Sequence, residues 1–199
     1  MRGSPPHLRL ILSATRRNWL AGVLCLGLAV GSAAPVHGAE AAVSEYELKA
    51  AFLYNFTKFV DWPPRAFPVA DAAPIVIGIV GEDPFGTAID DLVRGEVVRD
   101  HALIVKRMPA DGDLRSCHVL FISRSEKEHV PALLSQLKGS PVLTVSDMER
   151  FGEQGGIVNL VLENKAVKIE INPAAAERAG LQISAKLLRL ARLVKSLRP

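Results

Sequence analysis

Residues 75–80 read IVIGIV, six apolar residues with no polar alternation. A strand with one wet face alternates apolar and polar residues, so an unbroken β-branched run belongs to a strand buried on both faces, as in a parallel sheet. Three further short runs share this character: ALIVKR (102–107), VLFIS (119–123) and PVLTV (141–145). Between them lie segments with helical patterns, over 84–94 and about 126–138, and a short helix is expected near 147–151. Strands alternating with helices predict an α/β fold in one domain: a mostly parallel sheet flanked by helices on both faces.

The ends of this pattern are distinct. Ser44-x-x-Glu47 forms a capping box, after which Leu48, Phe52, Phe56 and Phe59 recur at helical spacing and predict one apolar face. Pro63 and Pro64 stop that helix near Trp62, and residues 63–74 read as a loop. Beyond Gly155-Gly156, the runs 157–162 and 167–171 flank Glu163–Ala166 and predict a C-terminal β-hairpin at the sheet edge. Asn172-Pro173 opens a helix that Gly180 ends. A last helix is expected over 184–195, with Leu187, Leu190, Ala191 and Val194 on its apolar face and Lys186, Arg189, Arg192, Lys195 and Arg198 on a basic one.

The first 38 residues have another character. Arg2, Arg9, Arg16 and Arg17 precede the eleven-residue apolar run 20–30, and small residues follow. This is the pattern of a secretory signal, with cleavage after Gly38 or after Ala41. The run is shorter than the roughly 20 residues a membrane span needs. Thr15–Leu20 is similar to a twin-arginine signal. Cys25 follows Leu24, where a lipidated cysteine wants a small residue. Removing the signal leaves 20 basic against 21 acidic residues. The +3 charge of the whole chain therefore belongs to the signal, and the mature chain lacks the basic footprint of a nucleic-acid binder. It also lacks a second apolar run long enough for membrane insertion. The expected location is the periplasm.

Catalytic signatures are missing. No phosphate-binding loop, dinucleotide fingerprint, nucleophile elbow or HExxH occurs. His101, His118 and His129 are dispersed and lack ligand spacing. Asp90 and Asp91 are adjacent, and so do not share a helix face. Cys117 is the only cysteine after the signal and is a candidate thiol, read as buried where loop meets strand. No catalytic residue, metal site or cofactor is expected, and an enzyme is the least favoured class.

Several ordered segments resemble the YfiR family of exported proteins: EYELKAAFLYNFTKFVDWP (45–63), CHVLFI (117–122), PVLTVSD (141–147), Phe151 with GGIVNL (155–160), KIEIN (168–172), AGLQIS (179–184) and Leu187-Leu188. The resemblance covers about residues 44–195. It implies a periplasmic α/β protein that represses an inner-membrane diguanylate cyclase by binding its periplasmic sensor domain, and so restrains cyclic di-GMP signalling and biofilm growth. It also implies disulfide chemistry, yet Cys117 matches one cysteine position and the mature chain has no second cysteine to pair with it. Partner contacts are expected at exposed apolar residues from Trp62 to Phe67 and on the basic side of the last helix, at Lys186, Arg189 and Arg192. The partner is the cyclase or another membrane sensor, and a homodimer stays open. The alternative is a small-molecule sensor module. Ligands of parallel sheets sit beyond the carboxyl ends of strands, which makes Gly81, Glu82, Asp83 and Ser123 its candidate loop.

Overall fold

The computed structural model describes residues 44–67 and 73–197, which fall in one compact unit. The expected signal peptide and its cleavage points lie outside the described residues.

The elements in chain order are α1 (Glu45–Phe59), β1 (Val60–Asp61), β2 (Ile75–Val80), α2 (Ala88–Val93), β3 (Val97–Val98), β4 (His101–Met108), β5 (Val119–Ile122), α3 (Val130–Gln136), β6 (Leu143–Ser146), β7 (Val158–Glu163), β8 (Ala166–Ile171), α4 (Pro173–Arg178), β9 (Gln182–Ile183), α5 (Ala185–Leu190) and β10 (Arg192–Leu193). Eight strands form one sheet in the order β10-β8-β7-β6-β5-β2-β4-β3, and β1 pairs separately with β9. Pairing is parallel from β4 through β2, β5 and β6 to β7, and antiparallel at β3–β4 and β7–β8. The fold is thus mixed α/β with a mostly parallel sheet.

Both faces of the central strands are buried, which is why IVIGIV carries no alternation. Ile75, Ile77 and Ile79 point to a front core with Leu53 and Phe56 of α1, Ile89 of α2, and Ala176 and Leu187 near the C-terminus. Val76 and Val80 point to a back core with Leu120, Ile122, and Val130 and Leu133 of α3. Helices therefore lie on both faces. Gly78 is needed at the back, because a Cβ there would stand 2.4 Å from Cys117 Sγ.

The hairpin forms as expected. Asn164 and Lys165 both hold positive φ (50° and 63°), as a two-residue primed turn requires. The outermost strand, however, is β10, which pairs in parallel with Glu170–Ile171 of β8.

Four expectations are corrected. The buried residues of α1 are Lys49, Ala50, Leu53, Phe56 and Thr57. Phe56 is in the core as expected, whereas Leu48 is exposed and Phe52 and Phe59 are half-buried. The buried stripe is thus turned by about one residue, because an ion pair holds Lys49 inward. The helix expected from residue 84 begins at Ala88, since the Asp83 carboxylate accepts from Phe85 N and holds a turn. Residues 147–151 form turns instead of a short helix. The last helix stops at Leu190. Val194 N donates to Ile171 O, so residues 192–194 take sheet hydrogen bonds in place of helical ones. Leu190 is left 72% exposed, not buried.

Candidate functional site

The carboxyl ends of β2, β5 and β6 lie along one edge of the sheet, where the first turn of α1 meets them. The capping box sets that turn: Ser44 Oγ accepts from Glu47 N, and the Glu47 carboxylate accepts from Ser44 N. One turn later, Lys49 is completely buried. Its Nζ donates to Asp147 Oδ2 at 2.5 Å and also to the Glu45 carboxylate. Asp147 follows β6 and has a side chain that is 1% exposed. Tyr46 Oη donates to its Oδ2 at 3.0 Å, and Arg124, from the turn after β5, lies 3.2 Å away. Burial, and then the Asp147 carboxylate, push the Tyr46 phenol above its ordinary pKa. Asp147 Oδ1 has no hydrogen-bond partner among the described residues. The cluster fixes α1 to the sheet edge.

The candidate ligand loop occupies the adjacent switch point between β2 and β5, and it closes on itself. Ser123 N donates to Val80 O, and Glu82 N donates to Ser125 Oγ. Gly81 has φ +87°, and a Cβ there would meet Ser125 Oγ at 2.4 Å. Arg107 of β4 clamps the loop from outside, through Asp83 Oδ2 at 2.9 Å and both Asp90 oxygens at 2.6 Å. That contact holds the Asp90 carboxyl below its usual range. The structure thus brings Gly81, Glu82, Asp83 and Ser123 together around backbone and serine contacts.

Trp62 and Phe67 are half-buried, where exposed residues were expected. Trp62 Nε1 donates to His118 O at 3.2 Å. The Phe67 ring stacks on His101 at 4.3 Å and tilts against His118 at 4.7 Å. His118 Nδ1 accepts from Val76 N, so the neutral ring carries its proton on Nε2. Burial pushes its pKa down to about 4. Residues 62–67 therefore form a strap over an uncharged imidazole.

Cys117 and His118 are neighbours in sequence but not in chemistry. The thiol points into the back core, 3.1 Å from Met108 Sδ, while the imidazole faces Trp62 at the front. Burial raises the Cys117 pKa to about 11. No group of three or more His, Cys, Asp or Glu side chains placed to hold a metal occurs among the described residues.

The predicted basic residues are divided by the break after Leu190. Lys186 and Arg189 are exposed on α5. Arg192 lies on β10 and is bound to Glu163 and Glu170. The same segment exposes Leu190, Leu193 and Leu197, which sequence periodicity had assigned to a helix or left unread. Lys49, Arg124 and Asp147 were also missed as a group. Glu45–Lys49 reads in sequence as an ordinary exposed i,i+4 pair, and only the sheet brings Asp147 to it.

The domain is a doubly wound α/β fold whose switch point between β2 and β5 is closed by its own backbone and serine contacts. The chain belongs to the YfiR/HmsC-like family, whose sequence model matches residues 46–192. That family is one of periplasmic regulators of diguanylate cyclase, regulatory in kind. No curated protein matches the chain in sequence. No helix among the described residues is long and apolar enough to cross a membrane.

Proposed function

We propose that this chain represses an inner-membrane diguanylate cyclase by binding the cyclase's periplasmic sensor domain. The observation that carries this reading is the family match, which runs from the first turn of α1 to β10. The C-terminal segment supports it as the contact surface. Lys186, Arg189 and Lys195 are interleaved there with Leu190, Leu193 and Leu197, which are 72%, 58% and 68% exposed. Exposed leucines among basic residues suit a partner with an apolar, acidic surface. The Trp62–Phe67 strap and Arg192 are committed to internal contacts, so they shape this reading less than Lys186 and Arg189 do.

Binding one conformation of the sensor domain holds the cyclase off. Moving that equilibrium from 1:99 to 99:1 takes about 5.5 kcal/mol of differential affinity, which a well-packed interface of roughly 1,600 Å² supplies. The buried Cys117 thiol takes no part, and repression is independent of thiol chemistry.

The test is cellular cyclic di-GMP after deletion of the gene and after complementation. Deletion raises it. The parent chain and Cys117→Ala restore it, whereas Leu190→Glu/Leu193→Glu does not, although the purified variant melts like the parent. No rise on deletion removes the repressor reading. Restoration by the double variant removes the C-terminal surface.

A further inference from the structure

The back core contains no residue of β7, β8 or β10. On that side these three strands carry a polar row. Asn159, Glu170 and Arg192 are in register across them. Asn159 Nδ2 donates to Glu170 Oε2 at 3.0 Å, and Arg192 Nε donates to Glu170 Oε1 at 2.9 Å. Val161 and Val194, two residues further along β7 and just past β10, stand on the same face. The turn 149–153 closes over the row, tied down where Leu197 N donates to Glu153 O. Between turn and sheet lies a cleft of about 220 Å³, lined by these side chains and by Glu149, Arg150 and Glu153.

Its chemistry is specific. Asn159 is 1% exposed, and its Oδ1 has no hydrogen-bond partner among the described residues. The amide nitrogen is engaged by Glu170, so the free group is an acceptor that wants a donor. Both arginines are taken, Arg150 by Glu153 at 2.5 Å and Arg192 by Glu163 and Glu170. Glu149 has no ion-pair partner among the described residues and adds an uncompensated negative charge at the rim. Val161 and Val194 supply an apolar wall. A donor-bearing cation with a short apolar body satisfies all three features. An anion satisfies neither of the two polar features.

We propose that this cleft binds a small primary ammonium compound, its N–H groups donating to Asn159 Oδ1, its charge facing Glu149 and its carbon chain resting on Val161 and Val194. The site is independent of the cyclase reading, since it lies on the sheet face and not on the exposed leucines.

The test is a titration of the purified protein with butylammonium at constant ionic strength, followed by amide shifts in nitrogen–proton correlation spectra. Tetramethylammonium, which keeps the charge but has no N–H, and butyrate serve as competitors of the wrong chemistry. Butylammonium shifts Asn159, Val161 and Val194 saturably, and the other two do not. Glu149→Gln, at an exposed turn, weakens binding about tenfold, the loss of one charge-assisted contact. Val161→Trp fills the cleft and abolishes binding. Absence of a saturable response to butylammonium, an equal response to tetramethylammonium, or full binding by Val161→Trp overturns the proposal.

Discussion

Replacing Lys49 by methionine keeps the length of the side chain and removes its charge. Lys49 is completely buried, and the Asp147 carboxylate it faces is almost as deep. The substitution leaves a desolvated carboxylate without its main counter-charge. Losing one partner of such a pair costs about 3–5 kcal/mol. Arg124 at 3.2 Å and the Tyr46 hydroxyl at 3.0 Å remain, which places the expected loss near the lower end, about 3 kcal/mol. In a domain of this size that corresponds to a fall in Tm of roughly 6–12 °C. The assay is urea unfolding of the parent, Lys49→Met, Asp147→Leu and the double variant, each at low and high salt. The double variant removes both charges together, so it recovers much of the loss. The coupling between the two sites is about 2 kcal/mol or more. Buried charges are poorly screened, so added salt changes it little. A single-variant loss under about 1 kcal/mol, or strict additivity of the two losses, refutes the argument that this ion pair locks α1 to the sheet.

Other outcomes follow from the same contacts. His118 has a folded pKa of about 4 against roughly 6.5 unfolded, so between these values the unfolded chain binds more protons. Stability is complete above about pH 6.5 and falls by up to about 3 kcal/mol as the pH drops to 4. Unfolding curves against pH check this, with Trp62 fluorescence as the probe, and His118→Gln flattens the dependence. Cys117, buried with its pKa raised to about 11, does not react with an aromatic disulfide reagent at pH 8 until denaturant is added. Rapid labelling of the native protein contradicts this. Asn172 is fully buried; it caps α4 through Ala175 N and donates to Gly152 O and Ser196 Oγ. Asn172→Ala costs about 2–4 kcal/mol, combining a lost cap with an unpaired buried carbonyl. A loss under 1 kcal/mol in urea unfolding shows that water replaces these contacts.

Much of the architecture is local information. The run IVIGIV specified a strand covered on both faces, and Ser44-x-x-Glu47 specified where α1 begins. Glu163–Ala166 marked the hairpin, because its ends alternate and its centre tolerates positive φ. Each of these signals depends on a few adjacent residues and on the period of one element, so no distant contact is needed to read it. The ordered motifs carried the family in the same way.

Long-range contacts decided the rest. Sequence periodicity turned α1 toward Leu48, but Asp147, 98 residues further along the chain, draws Lys49 inward. Periodicity also extended the last helix to residue 195. The open edge of β8 offered unpaired backbone groups, and Arg192 found Glu163 and Glu170 there, so the segment became β10 and left its leucines in solvent. The same event made one wall of the cleft beside Asn159. A buried charge and an edge strand both draw their free energy from partners that are remote in sequence and adjacent in space. The sequence by itself determined the central strands, the start of the first helix, the hairpin and the family; the tertiary structure alone decided the edge strand after α5, which charges are buried and which apolar residues face outward.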